Sequence, residues 1–223
     1  MENAVGQMLA SAVGVAISPI PLIAMVLMLA TPRGRSNGSA FALGWVAVVA
    51  LATSLIVAFG GNMQTGDEPA DWTFWLRLAL GVLFLLMAAR QWRGRPREAE
   101  EAQVPKWMQA IDRFTPGKAV ALAAVLVLAN PKNLVLVVGG AVSIASSGAS
   151  AGGKTLAVVL KVVIASLCVL LPLGVFHFGG DRAEGILAGW KAWMAAHNSA
   201  IMTVLLLVLG AKYLGDALTG LSG

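Results

Sequence analysis

A polar tetrapeptide, Asn130-Pro131-Lys132-Asn133, interrupts an apolar run that extends from Ala119 to Ile144. Proline lacks a backbone N–H and clashes with the preceding helical turn, and asparagine and lysine are costly at the depth of a bilayer. Because several costs coincide at one place, the chain needs an opened backbone there. Broken helices near the bilayer midplane form the substrate sites of many transporters. We therefore predict a broken membrane helix and a binding site at this tetrapeptide.

The composition is typical of a membrane protein with several spans. Of the 223 residues, 58% are hydrophobic and only 12% are charged. A single cysteine and two histidines exclude a disulfide framework and make a metal site improbable on composition alone. The sequence has no nucleotide-binding loop and no Ser/His/Asp arrangement, so we expect neither an enzyme nor a cofactor.

Six apolar segments are long enough to cross a hydrocarbon core, which needs about 20 residues. We predict an all-α polytopic membrane protein with six transmembrane helices: Ala4–Ala30, Ser39–Phe59, Trp72–Ala89, Gly117–Ser146, Lys154–Phe178 and Ser199–Ala217. Glu2 stands ahead of the first segment in place of a basic region, and the segment is too long for the apolar part of a signal peptide. We therefore expect it to stay in the mature protein.

The connections between these segments alternate in charge. The first contains Arg33 and Arg35 and the third and fifth are also basic, whereas the second contains Asp67 and Glu68 and no lysine or arginine. Basic connections of membrane proteins face the cytoplasm. The protein is accordingly expected in the cytoplasmic membrane with both termini outside. Topology explains the net charge of +5, and no nucleic-acid partner is expected.

Two of the basic connections also carry amphipathic stretches. Pro105 would begin a short helix with Trp107 on its apolar face, and Trp190 and Trp193 repeat this pattern in the fifth connection. Both stretches are predicted to lie on the membrane surface as separate short helices.

The chain contains an internal repeat. The step Ser18-Pro19-Ile20-Pro21 in the first segment aligns with Asn130-Pro131-Lys132-Asn133 in the fourth, and residues 81–90 align with residues 203–212. Three helices per half is an odd number, so the second half would enter the membrane from the opposite side. We expect two inverted three-helix repeats with broken helices 1 and 4. The boundaries are residues 1–118, which include the cytoplasmic basic loop, and residues 119–223.

Two lysines lie deep in the predicted helices without an acidic neighbour. Lys132 is far from the end of its segment, and Lys161 shares a helical face with Lys154, which predicts a basic track toward the middle of the membrane. No aspartate or glutamate lies well inside any segment, so an anionic ligand is favoured over a cation. The alternative is a neutral Lys132 that serves packing or proton exchange. The candidate substrate-binding residues are Lys132, Asn130, Asn133, Pro131, Ser18, Pro19, Pro21 and Lys161.

The six-segment layout and the two proline breaks, at Ser18 to Pro21 and at Asn130 to Asn133, resemble the LysE exporter superfamily. Within it, the chain is most similar to the GAP family, the peptidoglycolipid- and sulfolipid-addressing proteins of actinobacteria. The resemblance implies export of cell-envelope glycolipids or their precursors across the cytoplasmic membrane. Amino-acid exporters of the superfamily share the Asn-Pro step, so the step by itself does not select the substrate.

The favoured function is a transporter for an anionic or polar-headed envelope lipid, with its headgroup passing the two breaks. One alternative is an exporter of a small amphipathic metabolite such as an amino acid. A second is a membrane scaffold for envelope-lipid export that does no transport itself. The expected partners are membrane lipids, the lipid substrate, and further copies of the chain or other envelope-lipid export proteins.

Overall fold

The computed structural model describes residues 2–60, 71–94 and 111–221, and the regular elements in these ranges are all helical. The predicted all-α class is therefore confirmed. In chain order the α-helices are α1 (Glu2–Ala16), α2 (Pro19–Leu29), α3 (Gly34–Gly60), α4 (Asp71–Arg93), α5 (Pro116–Leu128), α6 (Pro131–Ala145), α7 (Ala151–Ala165), α8 (Leu167–Phe178) and α9 (Ala183–Leu221). Short 3-10 turns at Ile111–Arg113 and Gly180–Arg182 precede α5 and α9.

The chain divides into two compact units. The first comprises residues 1–62 and 103–195, and the second comprises residues 63–102 and 196–223. In the first unit α3 is central, since it packs against α5, α6, α7 and α8, and its Phe41 and Trp45 are fully buried. Helix α1 packs along α6 and α7, while α2 packs on α8.

Three of the helix junctions in the first unit are sharp bends within apolar stretches. The axes change direction by 43° between α1 and α2, by 72° between α5 and α6, and by 61° between α7 and α8. Pro19 and Pro131 occupy the first position of α2 and α6, where a missing N–H costs nothing because that group has no partner in the helix. The predicted breaks in segments 1 and 4 are therefore present.

The third bend corrects the sequence prediction, which treated Lys154–Phe178 as one straight helix. The helix ends at Ala165, and the ladder restarts at Ser166, whose carbonyl accepts from the N–H groups of Val169 (3.0 Å) and Leu170 (2.8 Å). Because the Val169 N–H bonds to the Ser166 carbonyl, the Ala165 carbonyl lacks the hydrogen bond that it would accept from Val169 in a continuous α-helix. Two side chains supply donors instead, because Trp45 Nε1 lies 3.3 Å and the Cys168 thiol sulfur 3.6 Å from this oxygen.

The lengths and hydropathies of the helices indicate a membrane protein. Residues 34–59 and 180–219 are each long and apolar enough to span, and each of the three bent pairs could form one more span, which makes up to five within the described residues. Helix α4 contains the predicted third segment and is not in this group. A total of six spans stays a prediction.

Helix α9 differs from the expected surface helix followed by a separate span. It runs without interruption for 39 residues, so Trp190 and Trp193 lie on the same helix as the predicted sixth segment. No proline stands between them and that segment to end the helix. The predicted helix at Pro105 and Trp107 and the acidic Asp67 and Glu68 lie outside the described residues.

In the second unit α4 and the later part of α9 pack through two glycines in reciprocal positions. A Cβ added at Gly81 would lie 2.8 Å from Leu214 Cγ, and one added at Gly210 would lie 2.6 Å from Leu85 Cδ2. The order of these contacts makes the two helices antiparallel. Gly81 and Gly210 are as far apart in the sequence as Leu85 and Leu214. Each helix therefore presents a glycine to a leucine of the other at equivalent positions, which is the pattern of a local two-fold axis. This sequence separation differs from the offset in the sequence alignment.

Candidate functional site

The bends of the first and fourth predicted segments meet inside the first unit. Ser18 Oγ, just before α2, donates to Asn133 Oδ1 in the first turn of α6 (2.9 Å). Lys132 Nζ donates to the same Ser18 oxygen (2.6 Å). We refer to Ser18, Lys132 and Asn133 as the central cluster. Each of the three is at most 2% exposed.

The lysine of the central cluster is satisfied by neutral acceptors. In addition to Ser18, Lys132 Nζ donates to the Gly14 carbonyl (2.9 Å). That carbonyl is available because the Ser18 N–H, its partner in a regular helix, bonds to the Val15 carbonyl (3.1 Å). No aspartate or glutamate occurs among the buried side chains that the structure describes. Among the described residues, the buried ammonium group therefore has no carboxylate partner.

The asparagines of the second break have different tasks. Asn130 caps α6, since its Oδ1 accepts from the Lys132 N–H (3.1 Å) and its carbonyl accepts from the Leu134 N–H (2.9 Å). Asn133 donates through Nδ2 to the Leu126 carbonyl in the last turn of α5 (3.0 Å). Asn133 thus joins both halves of the break to Ser18, whereas Asn130 holds the local backbone.

The prolines of the two breaks position the cluster. Pro19 and Pro21 are buried in the first turn of α2, while Pro131 is exposed. None of the three offers a polar side-chain atom or a backbone donor, so they shape the bends and direct Ser18 and Lys132 toward each other.

The third bend contributes residues that sequence reasoning missed. Cys168, in the first turn of α8, is 3% exposed, lies near Lys132 and donates through its thiol to the Ala165 carbonyl (3.6 Å). Ser166, which precedes α8, is fully buried, and its Oγ has no hydrogen-bond partner. Neither residue stands beside a proline; Pro172, the proline of this segment, lies inside α8 and does not mark the position of the break. The starts of α2, α6 and α8 all lie at the central cluster.

Lys161 does not belong to the central cluster. Its ammonium group is fully buried and donates to the Val137 carbonyl (2.5 Å) on α6. It lies beside Gly140 and Ser11: a Cβ at Gly140 would be 2.9 Å from Lys161 Nζ and would overlap Ser11 Oγ. We refer to Ser11, Gly140 and Lys161 as the Lys161 cluster. Ser11 lies on α1 against Gly140 of α6, and Ser18, two residues past the end of α1, contacts Lys132 and Asn133 of α6, so both clusters lie where α1 and its C-terminal end meet α6.

Lys154 continues this row toward the connection between α6 and α7. Its Nζ donates to the Ala145 carbonyl (2.7 Å), about two helical turns beyond the Lys161 contact with the Val137 carbonyl of α6. Three lysines thus follow one another along α6, and their named partners are carbonyl and hydroxyl oxygens. An arrangement of ammonium groups and hydrogen-bond donors suits an anion. The described residues contain no group of three or more histidine, cysteine or acidic side chains that could hold a metal ion.

The proteins of one known family match this chain over almost its whole length. The family model described as Sap, sulfolipid-1-addressing protein, matches residues 8–219, a range that includes all three bends and both lysine clusters. Comparisons with curated proteins and with solved structures found no match. Because the matched range exceeds half of the chain, the protein belongs to the sulfolipid-1-addressing protein family.

Proposed function

We propose that this protein moves an anionic or polar-headed cell-envelope lipid, or a glycolipid precursor, across the cytoplasmic membrane by alternating access. The observation that carries the proposal is the central cluster. Its fully buried Lys132 lies where the starts of α2, α6 and α8 meet, and the described buried residues include no acidic side chain. Family membership supports an envelope lipid as the substrate, because the family is described by sulfolipid-1.

The electrostatics of the cluster favour an anion. Each α-helix carries a partial positive charge at its N-terminus, and the starts of α2, α6 and α8 add this charge to that of Lys132. Sulfate, phosphate and carboxylate groups accept several short hydrogen bonds from such donors. An anionic headgroup would therefore take over the Lys132 contacts that Ser18 and the Gly14 carbonyl now provide.

The closed cluster implies a conformational change during transport. Ser18, Lys132 and Asn133 are buried, so a headgroup reaches them only when α1 and α6 separate on one side. The bends at Ser18 and Asn130 already interrupt the backbone ladders and provide places where the half-helices can rotate. The Lys161 cluster and Lys154 then offer two further cationic positions toward the outer face.

The reciprocal glycine contacts in the second unit support the inverted repeats. A local two-fold between antiparallel helices has its axis perpendicular to both, which is the axis that relates inverted repeats in a membrane. In this proposal the six spans form two such repeats, both termini lie outside, and the protein is a transporter and not an enzyme. Membrane lipids, further copies of the chain or other export proteins are its partners.

Translocation by purified protein tests the proposal. The full chain would be reconstituted in phosphatidylcholine vesicles that contain a fluorescent phosphatidylglycerol, and the fraction of probe that a membrane-impermeant reductant cannot reach would be followed. We expect transbilayer movement that is lost in Lys132→Met and kept in Lys118→Met, which removes an exposed lysine. Movement of a radiolabelled amino acid in place of lipid would support the small-metabolite alternative.

The cellular substrate follows from a deletion strain. Lipid analysis of inner and outer envelope fractions should show one glycolipid retained inside when the gene is removed. The deletion strain would then be complemented with each variant. If Lys118→Met restores export of the glycolipid and Lys132→Met does not, the phenotype depends on transport through the buried lysine. Relief by Lys132→Met would instead indicate a scaffold, because a scaffold does not need the buried charge.

A further inference from the structure

An apolar groove of about 460 Å³ opens beside the central cluster. Its walls come from α1, α2, the end of α7, the start of α8 and the first part of α9, all within the first unit, and include Val13, Ile17, Cys168, Leu171, Trp190 and Trp193. Every lining side chain is hydrocarbon, aromatic, thiol or thioether. The volume falls in the range of about 300–1,000 Å³ that is typical of small-ligand sites.

We infer that this groove holds one hydrocarbon chain of the lipid whose headgroup binds at Lys132. The inference rests on the proposed function and adds a second part to the site, with an alkyl or acyl chain as its ligand. It makes the substrate a two-part molecule, an anion joined to an apolar chain, and so disfavours small polar metabolites.

The groove is continuous with the central cluster. Ile17 lines the groove and directly precedes Ser18, and Cys168 lines the groove and lies near Lys132. When an anionic headgroup binds at Lys132, the apolar groove therefore begins at the residue next to Ser18, close to that headgroup. Cys168, which is 3% exposed, forms the boundary between the polar and apolar parts.

The open side of the groove suits a chain that stays in contact with the membrane. Val13 (44% exposed) and Leu171 (53% exposed) border the groove and also face outward. Hydrocarbon from the bilayer can thus enter sideways without crossing a polar barrier, and burial of each methylene contributes about 0.8 kcal/mol.

Other grooves of the first unit are less suited to a hydrocarbon chain joined to this headgroup. The groove between α2, α8 and α9 contains Asp181, Glu184 and Lys191, whose charges disfavour an alkyl chain. The groove between α3 and α7 is mainly apolar, but it contains Lys154 and none of the residues of the central cluster. Neither groove joins a hydrocarbon surface directly to Lys132.

Photo-crosslinking with a pair of probes tests the inference. The full chain would be reconstituted in phosphatidylcholine vesicles with a trace of phosphatidylglycerol that carries a diazirine midway along one acyl chain, or with phosphatidylcholine carrying the same group. Mass spectrometry would locate the adducts. We expect at least fivefold more adducts at residues 167–171 and 190–194 with the anionic probe than with the zwitterionic probe.

Two substitutions separate the groove from the headgroup site. Val13→Trp fills the groove at a half-exposed position and should reduce these adducts at least fivefold, while Val125→Trp, at a comparably exposed position on α5 that lines none of the three grooves, should leave them unchanged. Lys132→Met should lower labelling by the anionic probe to the level of the zwitterionic probe.

The possible failures point to different conclusions. Equal labelling of the groove by both probes, or labelling that Val13→Trp leaves unchanged, would show only annular lipid and overturn the groove assignment. No adducts at these residues with either probe would overturn it as well. If the anionic preference depends on Lys132 but the adducts lie elsewhere, the headgroup proposal survives and the groove assignment fails. An anionic preference that is unaffected by Lys132→Met would overturn the proposed function itself.

Discussion

Replacement of Lys132 by methionine separates a substrate-binding lysine from a structural one. Methionine keeps the length of the side chain and removes its charge and its hydrogen bonds to Ser18 Oγ and the Gly14 carbonyl. If the ammonium group binds the headgroup, the variant should lose transport and still fold. A structural lysine would show its loss first in stability.

The effect on stability is the balance of two opposing terms. The Gly14 carbonyl loses its donor, and an unsatisfied buried acceptor costs about 1–3 kcal/mol. Removal of a buried ammonium group that has no carboxylate partner saves a desolvation penalty of several kcal/mol. Ser18 keeps its hydrogen bond to Asn133. We therefore expect a free energy of unfolding within about 2 kcal/mol of the wild type.

Loss of the Lys132 charge is expected to weaken the binding of an anionic ligand. A hydrogen bond from a charged group contributes about 1.5–3 kcal/mol, so loss of one such bond weakens binding of an anion by roughly 10- to 150-fold. Transport of the anionic lipid should fall to the rate of vesicles without protein. Lys132→Arg should restore only part of it, because the planar guanidinium is larger than the ammonium group that this buried position accommodates.

Two assays on the same preparations decide the question. Thermal midpoints from tryptophan fluorescence should differ by no more than about 8 °C, since 1 kcal/mol shifts a chain of this size by about 2–4 °C. Probe translocation in vesicles gives the activity, with Lys118→Met as the control. A variant that no longer folds would make Lys132 structural, and a variant with normal transport would refute the placement of the binding site.

Three further tests address the packing and the bends. Gly140→Ala places a methyl group against two polar side chains and should cost about 1–3 kcal/mol, whereas Gly174→Ala meets open space and should gain up to about 1 kcal/mol; equal thermal midpoints for the two variants would contradict the packing described here. Trp45→Phe leaves the Ala165 carbonyl with only the weak thiol donor of Cys168 and should lower stability by about 0.5–1.5 kcal/mol, and an unchanged thermal midpoint would show that the indole hydrogen bond is unimportant. Replacement of Pro19 and Pro21 together by alanine should impair translocation while the amount of inserted protein stays normal; full activity would reduce both prolines to simple kinks.

Where a local chemical signal exists, the sequence by itself determined the bend. Pro19 and Pro131 have no N–H to continue a helix, so each favours a bend or a helix start at its own position. The same reasoning failed at Ser166, because the nearest proline, Pro172, lies inside α8 and the break depends on contacts with other segments. Trp45, far away in the chain, supplies the indole donor to the Ala165 carbonyl.

For the candidate site, the amino-acid types alone indicated a deep lysine without an acidic neighbour. Its partners could not be read from the chain, because Gly14 has no polar side chain and offers its carbonyl only through the bend after it. Spacing suggested that Lys161 shares a path with Lys132, but only the tertiary structure places it in a separate cluster beside Gly140 and Ser11. The separation of the two lysines depends on hydrogen bonds between different segments, and the periodicity of one segment carries no information about those bonds.

The sequence by itself determined the helical class, the membrane-like composition and the two proline bends, because each depends on properties of single residues or of short windows. Only the tertiary structure decided that Ser18 meets Asn133, that a third bend brings Cys168 near Lys132, and that an apolar groove begins beside them. These features depend on which faces of distant helices pack together. Such packing is set by the shapes and backbone bonds of the whole unit, which no local pattern in the chain records.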